Sequence, residues 1–392
     1  MALKYLYVPS GYKAGKAYGV LPNEANADLA FVRGSSATRI NADGLIETMG
    51  NNVPRLDYTD GSCPTLLAEP ESRNLVEYSE DFSQWLTTVS GTGVAPVIST
   101  GFSAPDGSSN ARKIVFDKGS GSTSSDICFI KDSYTSEVDV FTQTVWMRTE
   151  SGTANVLMDF NSANSNEVVV TTTWQRMTLT KSATFTTDKE FRIGLRGGSS
   201  TVDSATILVW GAQLEKQSYA TSYIYNNGTA LGVTRSADTG IVTSDLSSYV
   251  NSTEGVLEVK ISRFEGIPST EQSWISLSAS ETNDDNSVSI GFTGLNTTLA
   301  HFIKSSDVYV AQPTTSQVTE DLSQMNVIKL KWKNGDFQAK IGNTTIDLSA
   351  GAGSLPFAST LKYLRIGYPS YSGGDFKGNI QYIKVYDSAT DF

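Results

Sequence analysis

The chain has 392 residues, with 30 Lys and Arg against 41 Asp and Glu, a single histidine and two cysteines, and a formal net charge of −11. A chain of this length exceeds one small core and divides most naturally into two or three domains. The negative balance opposes the counterion release that drives nucleic-acid binding, so no nucleic-acid partner is expected, and the scatter of charges reads as a soluble surface.

The opening MALKYLYVPSGYKAGKAYG lacks the apolar stretch and small-residue cleavage site of a secretory signal. Synthesis in a cytoplasm is therefore expected. No later window approaches the length of a membrane span, so no membrane insertion is expected. The segment NNVPRLDYTDGSCPTLLAEPESRNL (51–75) combines three prolines, two consecutive leucines and several charges with neither a helical nor a strand period. Residues 1–75 are accordingly read as an irregular N-terminal attachment segment that takes its order from something already folded.

From Ala111 onward the chain carries short runs rich in Val, Ile, Thr and aromatics, separated by Gly, Ser, Asn and Asp. That is the pattern of an antiparallel all-β protein. The runs ARKIVF (111–116), FTQTVWMR (141–148), ANVLMDF (154–160), EVVVTTTWQRMTLT (167–180), KEFRIGLRG (189–197) and SATILVWGAQLE (204–215) predict a jelly-roll sandwich over 76–216. Residues 217–239 are aromatic and turn-prone, and read as an ordered linker rather than a plain Gly/Ser tether.

A second sandwich is predicted over 240–392. In GVLEVKISRF (255–264), Leu257, Val259 and Ile261 face one way and Glu258, Lys260 and Ser262 the other. This is the alternation of a sheet with one dry face. VIKLKWKNGDFQAKI (327–341) is a hairpin about Asn334-Gly335, with Ile328, Leu330 and Trp332 against Phe337, Ala339 and Ile341.

Catalysis finds little footing. His301, in TLAHFIK, reads as a strand residue. There is no nucleophile elbow, P-loop or zinc-type histidine pair. No strand carries the alternating acids of a β-sandwich glucanase, and Glu80-Asp81 and Asp284-Asp285 look like loop or cap residues. The chain is read as a non-enzyme. Cys63 and Cys128 lack metal-ligand spacing and are read as buried small apolar groups.

Sugar binding uses an aromatic face against the C–H side of a pyranose, flanked by amides or carboxylates. Tyr368, Tyr371 and Asp375 stand together in the loop sequence GYPSYSGGDF, where loop exposure suits a contact role, although tyrosines that merely cover a sheet end are the more frequent case. Trp146, Trp174 and Trp210 lie in strand patterns and are read first as core, with Trp174 kept among the sugar-binding candidates. Asp284, Asp285 and Asn286, in ETNDDNS, offer the hard oxygen donors that calcium prefers. Their spacing is not that of an EF-hand, and a solvated hairpin tip explains them as well. Calcium is the one cofactor considered.

Residues 31–85 hold an ordered series: Arg33, Ser35 to Arg39, Gly44 to Glu47, Pro54 to Tyr58, Leu66 to Pro70 and Arg73 to Leu75. It resembles a module of bacteriophage virion proteins of the tail- or head-fibre kind. DGSSNARKI, TTTWQRMTLT and ILVWGAQLEKQSYATSYI are similar to the carbohydrate-binding jelly roll that follows this module, and DFKGNIQYIKVYDSA is similar to the closing strands of laminin-G or concanavalin-like sandwiches.

The resemblance implies a phage structural protein, a fibre, spike or decoration subunit displaying sandwiches for host-surface attachment. The alternatives are a capsid, neck or tail accessory protein without a ligand, and a polysaccharide depolymerase. It also implies a latch in which Leu45, Ile46, Leu66 and Leu67 bury against a sandwich or a neighbouring subunit, while Arg33, Arg39, Arg55, Asp57, Glu69 and Arg73 pair in fixed geometry. The partners implied are other virion proteins, host surface polysaccharide and copies of the chain itself, a homotrimer above all. The implied location is the virion, assembled in the host cytoplasm.

Overall fold

A computed structural model describes residues 2–22, 24, 27–134, 139–160, 166–183, 189–242, 245–268, 271–293, 298–367, 374–390 and 392. The described residues form antiparallel strands with almost no helix, and they divide into two compact units. One comprises residues 1–44, 48–71 and 236–392, the other 45–47 and 72–235.

The second of these is a sandwich of two five-stranded sheets. The first sheet runs Val94–Phe102, Ala111–Asp117, Ser204–Glu215, Asp139–Arg148, Gln175–Ala183. The other runs Asn166–Val170, Ala154–Asp159, Lys189–Arg196, Ile127–Tyr134, Leu86–Ser90. Alternate residues meet between them: Phe141, Val145, Met147, Ile207 and Val209 from one sheet, Cys128, Ile130, Val156, Met158, Phe191 and Ile193 from the other. A short pair, Ser72–Asn74 with Val233–Arg235, brings the two chain ends of this unit together.

In the other unit the strands form one continuous path. It runs from Val308–Gln317 through Thr298–Ser305, Ser287–Thr293, Gln272–Ser278 and Tyr363–Ile366 to Thr239–Val242, Leu29–Val32, Lys16–Leu21 and Leu3–Lys13. It continues through Gly378–Tyr386, Glu254–Arg263, Asn326–Lys333 and Gln338–Ile341 to Thr344–Asp347. Ile275, Leu277, Val288 and Ile290 near one end share a core with Leu257, Val259, Ile328 and Leu330 near the other, so the sheet folds over itself as a sandwich. The hairpin register is Ile328 opposite Ile341 and Leu330 opposite Ala339. Gly378 opens the last long strand with φ +151, and a Cβ there would lie 2.0 Å from the Ser262 carbonyl oxygen. Glycine lets that strand approach its neighbour.

The opening segment departs from its reading as irregular. Residues 3–74 contain eight short strands, three of which sit in the middle of the path just described. Leu3 pairs with Tyr386 and Tyr7 with Ile383, while Thr239 pairs with Val32 on the far side. Tyr5, Tyr7, Leu29, Phe31 and Leu66 are buried in the same core as Ile380 and Val385. Their alternation is confined to runs of four to eleven residues, such as LKYLYVPSGYK and LAFV, and their partners lie hundreds of positions away. The order is borrowed from the chain's own C-terminal half. Leu45 is a further exception, since it stays exposed.

Candidate functional site

Strand alternation in FTQTVWMR sends Val145 and Met147 into the core and Trp146 and Arg148 out of it. In the neighbouring strand, Trp146 pairs with Arg176 and Met147 with Gln175, which sets position 174 beside Arg148. The result is a two-by-two arrangement of indoles and guanidiniums on the outer face of one sheet. Arg176 lies over Trp146 at 4.5 Å from the ring centroid, and Arg148 over Trp174 at 5.3 Å. All four side chains are half-buried. Cross-strand pairs of this type add attraction between cation and ring beyond their buried area.

Trp210 extends the row, paired with Trp146 on the other side. Trp146 thus leaves the core expected for it and is half-buried, whereas Trp210, on the same outer face, is buried as expected. Gly211, at φ +65, sits at a register irregularity that returns Ala212 and Leu214 to the core; a Cβ there would come within 3.0 Å of the Trp146 ring. Tyr223 closes against both indoles, with centroids 4.5 Å from Trp210 and 5.7 Å from Trp146.

The segment after Glu215 lies along this face because buried polar groups hold it there. Glu215, fully buried, accepts from Ser72 Oγ, the Thr221 amide and hydroxyl, and Gln217 Nε2. Gln213 accepts from the Ile224 amide at 2.6 Å and donates toward the Ser222 carbonyl. Arg176 donates to the Thr221 carbonyl at 2.7 Å and to Thr144 Oγ1 at 2.9 Å. The motif WGAQLEKQSYATSY therefore ties a covering segment to the sheet beside Trp146 and Arg176, and Arg148 and Trp174 stand next to them, half-buried.

The other expected site residues are dispersed. Tyr368 and Tyr371 lie outside the described residues. Asp375 is partly buried in the other unit, where burial raises its carboxyl above the usual range against the opposing pull of Arg365 and Lys377. Asp284 and Asp285 gather with Asp307. The Lys304 ammonium lies 2.7 Å from Asp284 and 3.1 Å from Asp307, supplying the cluster with a positive charge from the chain itself. Asn286 accepts from the Ser306 amide at 3.2 Å, so its side-chain oxygen serves the local turn.

Of the latch residues, Arg33, Arg55 and Glu69 converge on Asp238, which the sequence reading did not name. Arg33 reaches Asp238 at 3.1 Å and the carbonyls of Ser35, Gly50 and Val53. Arg55 bridges Glu69 and Asp238. Burial opposes its charge, but the two carboxylates outweigh that and raise its pKa. Asp57 accepts from the amides of Ile40 and Thr59, and Arg39 donates to the Leu56 carbonyl. Arg73 stands exposed. These groups fasten the opening segment inside its own unit.

His301 is a strand residue, as expected, buried with no hydrogen-bond partner on either ring nitrogen among the described residues. Burial lowers its pKa to about 4. Cys128 is buried, whereas Cys63 is exposed, in a polar turn that has no apolar surface to cover it.

No family model and no curated protein matches the sequence. Among solved structures, the CBM40 of the Ruminococcus gnavus IT-sialidase, bound to α2,3-sialyllactose, is 14% identical, covering 38% of this chain and 86% of that one at a TM-score of 0.30. Domains LG4-5 of the mouse laminin α1 chain are 9% identical, with coverage of 76% and 92% and a TM-score of 0.27. The Caenorhabditis elegans galectin LEC-6 is 8% identical, with coverage of 36% and 86% and a TM-score of 0.24. At such identities and TM-scores these likenesses have no bearing on function.

Proposed function

We propose that this chain is a glycan-binding β-sandwich protein of a phage particle, a fibre, spike or decoration subunit that attaches to host surface polysaccharide. The observation that carries the binding part is the Arg148–Trp174 pair, a half-buried indole and guanidinium that lie outside the hydrophobic core on the outer face of the sheet. An indole offers a sugar ring its C–H contact, and a guanidinium supplies donors for hydroxyl oxygens. Support for the virion part is the ordered motif series from Arg33 to Leu75. Repeated copies on one particle, a homotrimer included, would raise weak affinity through effective concentration.

The test is a glycan array and host-cell binding, with wild-type protein beside Trp174→Ala. Binding that the substitution abolishes supports the reading, and uniform absence of signal at high valency overturns it. Mass spectrometry of purified particles, with tracing of the chain in particle density, tests the virion assignment. A second reading, a spacer without ligand, is favoured by one feature. Arg33, Arg55, Glu69 and Asp238 satisfy one another inside their own unit.

A further inference from the structure

Arg148 differs from the cations around it. In the same row of the sheet, Lys113 lies opposite Leu208 from one side and Arg148 from the other. Lys113 has Glu150 as its carboxylate partner, and nearby Arg112 has Asp81 at 3.1 Å. Arg148 has no carboxylate in salt-bridge range among the described residues. Its Nη1 donates to the Thr149 carbonyl at a long 3.4 Å, and its Nε is buried without a partner. The ring of Trp174 holds one side of the guanidinium plane.

A half-buried guanidinium without a counter-charge is costly, because desolvation removes water that nothing replaces. A carboxylate or sulfate would restore the balance, since its oxygens match the guanidinium fork. We infer that the sugar recognised at this face carries an anionic substituent, a carboxylate or a sulfate ester, seated on the Arg148 guanidinium beside Trp174. This rests on the glycan-binding reading above and specifies the class of sugar. The ring of the residue lies on the indole, and its anionic group accepts from the guanidinium. Selectivity against neutral sugars follows, because a neutral ring in the same place leaves the cation uncompensated.

The alternative role for Arg148 is cover, since it stands opposite Leu208, which is only 1% exposed. Arg148→Met retains that stem and removes the charge, and Arg148→Lys keeps a charge without the fork. The experiment is a glycan array with matched neutral, uronate, sialate and sulfated sets, followed by titration of the full chain with polygalacturonate, dextran sulfate and dextran. Wild-type protein is expected to favour one anionic set over its neutral match by tenfold or more, with the uronate, sialate and sulfate arms separating the two anion chemistries. Arg148→Met is expected to erase that preference without lowering the melting temperature, and Arg148→Lys to restore part of it. Equal binding of anionic and neutral sets, or an anion preference that survives Arg148→Met, overturns the inference. If Trp174→Ala abolishes that binding, the glycan-binding reading stands without it. Absence of binding to every set overturns both.

Discussion

The guanidinium carbon of Arg148 lies 5.3 Å from the ring centroid of Trp174, and one step along the same two strands the order reverses, with Arg176 over Trp146 at 4.5 Å. The inner pair is tied down by the segment after Glu215; the outer pair is not. That difference separates a structural use of the motif from one open to a ligand.

The inner pair should be measurable as a coupling. A double-mutant cycle on Arg176→Ala and Trp146→Ala is expected to give an interaction energy of about 1 kcal/mol, read from urea unfolding. A value near zero would mean that the two side chains share a surface without attracting each other.

Asp238 is shared by two buried arginines and accepts from the Glu69 amide at 2.9 Å. Asp238→Ala removes the carboxylate that Arg33 and Arg55 share, leaving Arg55 with Glu69 and Arg33 with backbone carbonyls, and should cost about 3–5 kcal/mol in urea unfolding. Arg73→Ala, at an exposed position, should change stability by no more than about 0.5 kcal/mol. Comparable losses from both substitutions would contradict the assignment of the network.

His301 predicts acid sensitivity. Its folded-state pKa, lowered by burial to about 4, lies below the ordinary value of 6.5, so the unfolded chain takes up the proton first. The neutral-pH stability is intact above pH 6.5 and falls as pH drops toward 4, by up to about 3 kcal/mol. His301→Leu should remove that slope in unfolding free energy measured between pH 7 and pH 4. An unchanged slope would place the acid sensitivity elsewhere.

Asp132 works in the opposite direction. Burial raises its carboxyl to about 6, against hydrogen bonds from the Glu77 and Ser133 amides that pull it down. Here the unfolded chain loses its proton first, so stability falls as pH rises from the ordinary 3.8 toward 6. Asp132→Asn keeps an acceptor and removes the charge. It should raise stability at pH 7 by ~2 kcal/mol and have little effect at pH 3.5, by thermal unfolding at the two values. A loss at pH 7 would show that the carboxylate is held by more than these two amides.

Strand positions and the hairpin at Asn334-Gly335 were legible because each depends on alternation or turn chemistry within about ten residues. Leu257, Val259 and Ile261 face the core, as their spacing requires. The outward placement of Trp146 and Trp210 was not legible. FTQTVWMR and ILVW carry apolar residues on both faces, and period two separates the faces without saying which one is dry. The covering segment after Glu215 decides that.

By itself the sequence determined an all-β chain, because short β-branched and aromatic runs broken by Gly, Ser and Asn cannot bury themselves as helices. The resemblance implied one charged set of Arg33, Arg39, Arg55, Asp57, Glu69 and Arg73, of which only Arg33, Arg55 and Glu69 converge. Only the tertiary structure decided that Asp238 completes the set, that Leu3–Lys13 pairs with Gly378–Tyr386, and that Arg148 stands beside Trp174 without a carboxylate. These are relations between residues far apart in the chain. The close approach that creates each of them is made by folding, and no local spacing carries it.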